Sequence, residues 1–189
     1  MRTSGLLFVG LLLIALSVFP GCAETAAPEV TPEVMETDFV ITSSAFADGS
    51  EIPVKYSCHG QNVSPPLDWS QGPSGTASLA LIVEDLDAPI KDFTHWVIFN
   101  LPPDVHGLPE AVPKDDELPT GALQGKGGTG KIGYFGPCPP KGSPHRYRFT
   151  LYALDTSLDL TAGATKAQVL QAMEGHILAQ SQLIGVYQR

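Results

Sequence analysis

Cysteine is scarce in this chain, with three in 189 residues, and their spacing matches no zinc-binding pattern. Basic residues are few as well: 11 Lys and Arg stand against 20 Asp and Glu, a formal net charge of −9. Such a balance repels nucleic acid and anionic headgroups, which argues against DNA or RNA binding. Any anion site has to be a local pocket working against the overall field. No G-x-S-x-G stretch is present, so the strained elbow that activates a hydrolytic serine is missing. The longest apolar run, "GLLFVGLLLIALSVFP" at 5–20, has a core of about a dozen residues, against the roughly 20 that a bilayer span needs.

That run follows Arg2 and breaks at "FPGCAE". A basic start, a short apolar stretch and a small residue before the break read as an export signal. Gly21-Cys22 resembles a bacterial lipoprotein cleavage box, in which the cysteine is lipidated and becomes residue one; Phe19 stands where that box usually has Leu. An ordinary signal peptide or an uncleaved anchor is the alternative. The following "AETAAPEVTPEVMET" has little to bury and reads as a flexible tether. The expected organisation is a lipoprotein signal peptide at 1–21, lipidation at Cys22, a tether at 22–37 and one domain at 38–189. Losing residues 1–21 removes Arg2 and leaves the mature chain one unit more acidic. Cys58 and Cys138 then remain. In an oxidising compartment two such cysteines tend to pair, and a disulfide is expected. Two free thiols, or a metal site with His59 or His145, are the alternatives.

Strand-like segments dominate the domain. "DFVITS" (38–43) alternates weakly, and "EIPVKYS" (51–57) puts Ile52, Val54 and Tyr56 on one side. "SLALIVED" (78–85) and "THWVIFNL" (94–101) are continuous apolar runs, the mark of strands covered on both faces. "RYRFTLYAL" (146–154) sets Tyr147, Phe149 and Leu151 opposite Arg146, Arg148, Thr150 and Tyr152, and "LIGVYQR" closes the chain as a last strand. One helix is expected at 165–175, where Thr165 and Gln168 form a capping box and Val169, Leu170 and Met173 an apolar stripe. Many strands with one late helix point to a mainly β, sandwich-like domain. Residues 102–144 differ: they hold 9 of the 17 prolines and 9 of the 19 glycines. A stretch this long without periodicity is either functional or disordered, and here it reads as an ordered binding loop.

Several motifs carry possible chemistry. "GKGGTGKI" (125–132) comes close to a phosphate-binding P-loop, with Lys131 in place, but Ile132 replaces the Ser or Thr that holds magnesium and no helix can follow. A flexible glycine loop is the better account. Asp85 and Asp87 share strand parity, so both can face one site for acid–base work, although turn and capping roles are commoner. His95 opens the next apolar strand, where a packed, hydrogen-bonded side chain is the usual role. His145 and Tyr147 are two apart and point to one side in extended backbone, away from Arg146. A Ser-His-Asp hydrolase is conceivable, but the serine elbow is missing.

Taken together, "DLDAP", "THWVIFNLP" and "GPCPPKGSPHRY", in this order and spacing, resemble the phosphatidylethanolamine-binding protein (PEBP) family, most closely its bacterial YbhB/YbcL, Raf-kinase-inhibitor-like branch. "NVSPPLDW" (62–69) and "EGHILAQSQLIGVY" (174–187) are similar to that branch too, so the resemblance runs from about Ile41 to Tyr187. It implies a PEBP-like antiparallel β-sandwich with a few short peripheral helices and a small pocket for phosphate-type anions. Carried over by motif, Asp85, Asp87, Ala88 and Pro89 come from the D-x-D-A-P element, His95 from the His-Trp strand, Gly136, Pro139 and Pro140 from the loop, and His145 and Tyr147 from His-Arg-Tyr. Leu86 departs from the family, which usually has proline there. The implied role is a phosphate- or phospholipid-headgroup-binding lipoprotein of the bacterial cell envelope, modulating or inhibiting a partner protein. A protein-interaction module acting through surface loops is the alternative, and a weak hydrolase the third reading. Binding is preferred over catalysis, with no cofactor, metal or nucleic acid expected. The expected partners are a phosphate- or phosphoethanolamine-like ligand and the membrane, through the lipid.

Overall fold

An apolar run without alternation needs cover on both faces, and the run at 78–85 has it. The computed structural model describes residues 38–90 and 93–189; the expected export signal, lipidation at Cys22 and tether lie outside these residues. In chain order the strands are β1 (Ile41–Thr42), β2 (Leu67–Trp69), β3 (Ser78–Asp85), β4 (Phe93–Leu101), β5 (Gly107–Leu108), β6 (Leu123–Gln124), β7 (His145–Leu154) and β8 (Ile177–Tyr187), with one helix, α1 (Lys166–Met173). They form a three-stranded sheet, β1-β2-β5, and a five-stranded sheet, β6-β4-β3-β7-β8, with antiparallel neighbours throughout.

The five-stranded sheet explains the apolar runs. Leu79, Leu81 and Val83 of β3 join Phe149 and Leu151 of β7 and the small sheet's Ile41, Leu67 and Trp69 in one core. Ala80 and Ile82 point the other way, into a second core with Val97, Phe99, Val169 and Met173. Central strands β3 and β4 are thus sandwiched between the small sheet and α1. Thr165 caps α1 with the expected reciprocal box: its hydroxyl accepts from Gln168 N–H, and Gln168 Oε1 accepts from Thr165 N–H at 2.9 Å. Leu170 is not part of the buried stripe; it stays partly exposed while Val169 and Met173 are enclosed.

Two strand expectations change. Residues 38–43 contribute only the two-residue β1. Residues 51–57 are not a strand; Val54–Tyr56 is a 3₁₀ turn. Pro53 cannot donate to a ladder, and both the N–H and the hydroxyl of Ser57 turn back onto the Val54 carbonyl, at 3.0 and 2.8 Å. The last strand is longer than its apolar end suggests, reaching back to Ile177.

The stretch 102–144 is tied down rather than free. Gln124 is fully buried: its Oε1 accepts from Trp96 Nε1 at 2.8 Å, and its Nε2 donates to the carbonyls of Pro113 and Asp115 at 2.8 and 2.7 Å. Tyr134 Oη donates to the Tyr56 carbonyl at 2.9 Å. Each bond satisfies a polar group that would otherwise be buried unpaired, so this stretch is held by its polar contacts as much as by apolar packing.

Candidate functional site

The site lies at one end of the five-stranded sheet, where β3 stops and β4 and β7 begin. The register sets Asp85 opposite Phe93 on β4 and Tyr147 on β7. A cavity of about 230 Å³ opens there, lined by Asp85, Ala88, Pro89, Ile90, Phe93, His95, Phe135, Cys138, Pro139, Pro140 and His145. Its walls are mostly apolar; among the described lining residues the polar side chains are one carboxylate and two imidazoles, and none is Lys or Arg.

The polar groups are pre-arranged. Asp85 Oδ2 sits 2.8 Å from His145 Nδ1, with both side chains almost wholly enclosed, and Asp85 Oδ1 accepts the Asp87 N–H at 2.9 Å. His95 Nδ1 lies 2.6 Å from the Phe135 carbonyl, which can only accept, so Nδ1 carries the proton. Burial pushes the His95 pKa below its usual value, which keeps the ring neutral with Nε2 unprotonated. Its ring stacks on Phe135 at 5.7 Å and meets Phe93 and Tyr147 edge-on at 4.9 and 5.1 Å. Both histidines therefore have Nδ1 engaged inside the protein, which leaves Nε2 as the nitrogen free to meet a ligand.

Three residues expected around the ligand do not line the cavity. Asp87 is turned to Arg146, whose Nε and Nη2 approach its two oxygens at 2.9 and 2.8 Å while the Arg146 N–H adds a third bond. The Arg146 guanidinium lowers the Asp87 pKa to about 2. Parity fails here because the strand ends at Asp85. Leu86 donates its N–H to the Arg146 carbonyl at 2.9 Å, a bond that the family's usual proline cannot make. Gly136 lies behind the wall: its N–H donates to Asn62 Oδ1 at 2.7 Å, and an added Cβ would sit 2.2 Å from the Tyr56 carbonyl oxygen. Tyr147 is fully buried beside the histidines. Its hydroxyl is enclosed next to Asp85 and the Cys138 main chain without a well-formed hydrogen bond. Burial, then the Asp85 charge, push its pKa well above the usual value for tyrosine.

Four lining residues were not anticipated. Phe93 is two before His95, so the period-2 rule already placed it on the same face. Ile90 follows Pro89, and Phe135 precedes Gly136, both adjacent to expected positions. Cys138 was expected to act only as a staple. It does form a disulfide with Cys58, with Cα atoms 5.3 Å apart, and the Cys58 N–H donates to the Pro137 carbonyl at 3.0 Å. His59 brings a third metal-capable atom within 4.8 Å of the two sulfurs. The disulfide withdraws those sulfurs from coordination while it lasts.

This geometry matches a known group. Residues 42–188 fit the family model for phosphatidylethanolamine-binding protein. A UPF0098 protein of Methanothermobacter thermautotrophicus is 56% identical over 149 residues, which span 79% of this chain and 98% of the relative. A Mycobacterium tuberculosis protein whose name proposes a lipoprotein, LppC, is 41% identical over 165 residues, covering 87% of this chain and 79% of its own. Among solved structures, CT736 of Chlamydia trachomatis, described as a PEBP homologue, superposes with a TM-score of 0.73 at 45% identity, covering 80% of this chain and 97% of that one. YbcL of E. coli, described as a member of the mammalian PEBP family, does so with a TM-score of 0.75 at 35% identity, covering 80% and 99%. The chain belongs to the phosphatidylethanolamine-binding protein family. Within it, the chain falls in the bacterial branch that includes YbcL.

Proposed function

We propose that the chain is a lipid-anchored protein of the cell envelope that binds a phosphate-type oxyanion, free or as part of a phospholipid headgroup, in the cavity between Asp85 and Pro140. The observation that carries this reading is the pair of imidazoles with Nδ1 already engaged. A neutral Nε2 accepts a hydrogen bond from the P–OH of a monoprotonated phosphate, and a protonated Nε2 donates one to a bare phosphate oxygen. Asp85 orients His145 and accepts from a ligand ammonium. The apolar rim of Ala88, Pro89, Phe93, Pro139 and Pro140 suits the organic part of a headgroup. Asp87 and Tyr147 support the site from behind, Asp87 by holding Arg146 and Tyr147 by packing on His95. Asp85 and His145 supply two members of a hydrolytic triad, but no serine is among the described lining residues, which favours binding over acyl transfer.

Titration with phosphoethanolamine and with inorganic phosphate, followed by NMR of the imidazoles, tests the site. His95 and His145 should shift saturably at millimolar ligand, and His145→Ala should weaken binding about tenfold. Unmoved imidazoles would sink the proposal. Affinity for phosphate should rise as the pH falls from 8 to 6, because monoprotonated phosphate then supplies the P–OH that the neutral His95 Nε2 accepts from. A flat profile counts against histidine contacts. Anchoring is supported by the Gly21-Cys22 box and the LppC relative. It predicts incorporation of labelled fatty acid that Cys22→Ser abolishes.

A further inference from the structure

A second cavity, of about 200 Å³, lies on another side of Phe135, and Lys114, Lys131, Thr129 and Asn62 line it. We propose that it is a binding site for a small dissolved tetrahedral oxyanion such as phosphate, independent of the site formed by His95 and His145. It uses the glycine-rich stretch at 125–132 that resembled a P-loop. That stretch is a tight hairpin, closed by Gly127 N–H to the Lys131 carbonyl at 3.0 Å and Gly130 N–H to the Gly127 carbonyl at 2.9 Å, with Lys126 and Ile132 bridged across it. The turn brings Thr129 and Lys131 to the cavity wall.

Lys114 arrives from a distant part of the loop and is held by packing. Gly133, at φ 87°, leaves the space its stem occupies: an added Cβ would stand 2.7 Å from both Lys114 Cβ and Cγ. The Lys114 ammonium has only a long contact, 3.4 Å, to the Asn62 carbonyl. Asn62 Oδ1 accepts from Gly136 N–H, which leaves its Nδ2 to donate. Among the described residues, Lys55, Arg146, Arg148 and Lys166 have carboxylate partners; Lys114 and Lys131, like Lys126, Lys141 and Arg189, have none, and only Lys114 and Lys131 share a cavity. Asp115 and Asp116, next along the chain, hold Gln124 through main-chain carbonyls and pair with neither lysine.

An acidic protein thus keeps two lysines in one concavity without an internal counter-charge. Burial, then the Lys131 charge, depress the Lys114 pKa. A bound anion cancels the repulsion and, by its attraction, offsets the cost of burial. The cavity is smaller than the roughly 300–1,000 Å³ typical of drug-sized ligands, a size that suits a compact ion. Two ammonium groups, a hydroxyl and an amide N–H donor suit tetrahedral oxygens, and flexible point charges do not demand the planar fork that arginine would impose.

The test uses the disulfide-bonded protein with its lysines carrying ¹³C-dimethyl labels, titrated with inorganic phosphate at pH 7 against sodium chloride of matched ionic strength. Lys114→Met and Lys131→Met assign the two resonances. Both should shift saturably with phosphate and not with chloride, and the Lys114 pKa should rise on binding. Each Met substitution should weaken the response of the remaining lysine about tenfold, while Lys131→Arg retains most of it. His145→Ala, which removes the other site, should leave the lysine response intact. Lysine shifts equal to those of Lys126, which lies outside the cavity lining, shifts reproduced by chloride, or shifts abolished by His145→Ala would each overturn the proposal.

Discussion

At the scale of single residues, the site depends on which polar atoms are already engaged. His95 is buried and neutral, so folding leaves it fewer protons than the unfolded chain binds. Its contribution to stability is complete above the ordinary histidine value of about 6.5 and is lost as pH falls through the lower folded-state value. His95→Phe should therefore flatten the pH dependence of urea unfolding between pH 7 and 5; an unchanged slope would assign that dependence elsewhere. Gly136→Ala would force a Cβ against the Tyr56 carbonyl, at 2.2 Å before any relaxation, and should destabilise by on the order of 3 kcal/mol in thermal or urea unfolding. Much at this scale was legible from parity: His145 and Tyr147 do share a buried face, and Arg146 does point away. Parity alone misplaces Asp87, because parity holds only while the strand lasts; the commoner turn and capping role is the one it takes. One residue past Asp85 the chain turns, and Arg146 captures the carboxylate.

At the scale of elements, the apolar runs were the most readable feature. β3 matches its run residue for residue, because a strand covered by two cores needs no polar face. The helix start was equally clear, since a capping box is local chemistry. Thr165→Ala should cost about 1 kcal/mol in unfolding free energy by removing the hydroxyl that accepts from Gln168 N–H. Val169→Ala should cost about 2 kcal/mol, whereas Leu170→Ala should stay within about 0.5 kcal/mol, because Val169 is fully buried and Leu170 is not. Equal effects at 169 and 170 would mean that the helix packs with a different face. The segment at 51–57 was unreadable for a physical reason. Its alternation fits a strand, but Pro53 and Ser57 settle the backbone through hydrogen bonds that a polar–apolar pattern does not encode.

At the scale of the whole molecule, the long irregular stretch is the least legible part and the most consequential. Its order comes from contacts with distant residues, such as Gln124 with Trp96 and Tyr134 with Tyr56, and no local pattern announces them. The disulfide closes a span of 80 residues between Cys58 and Cys138. Replacing both cysteines with serine should lower stability by on the order of 4 kcal/mol in the loop-entropy model, and Tm by roughly 10 °C. A Tm unchanged within error would mean that main-chain and core contacts alone hold the rim. Cys138 sits in the cavity wall three residues before Lys141, so the same covalent tie governs how the protein behaves once purified. Material made in a reducing cytosol would leave this rim unstapled. Trypsin should then nick it after Lys141 faster than it nicks oxidised material, and the cut would fall between two parts of the cavity wall, Pro140 and His145. The cellular compartment in which the chain matures thus decides whether the rim withstands proteases.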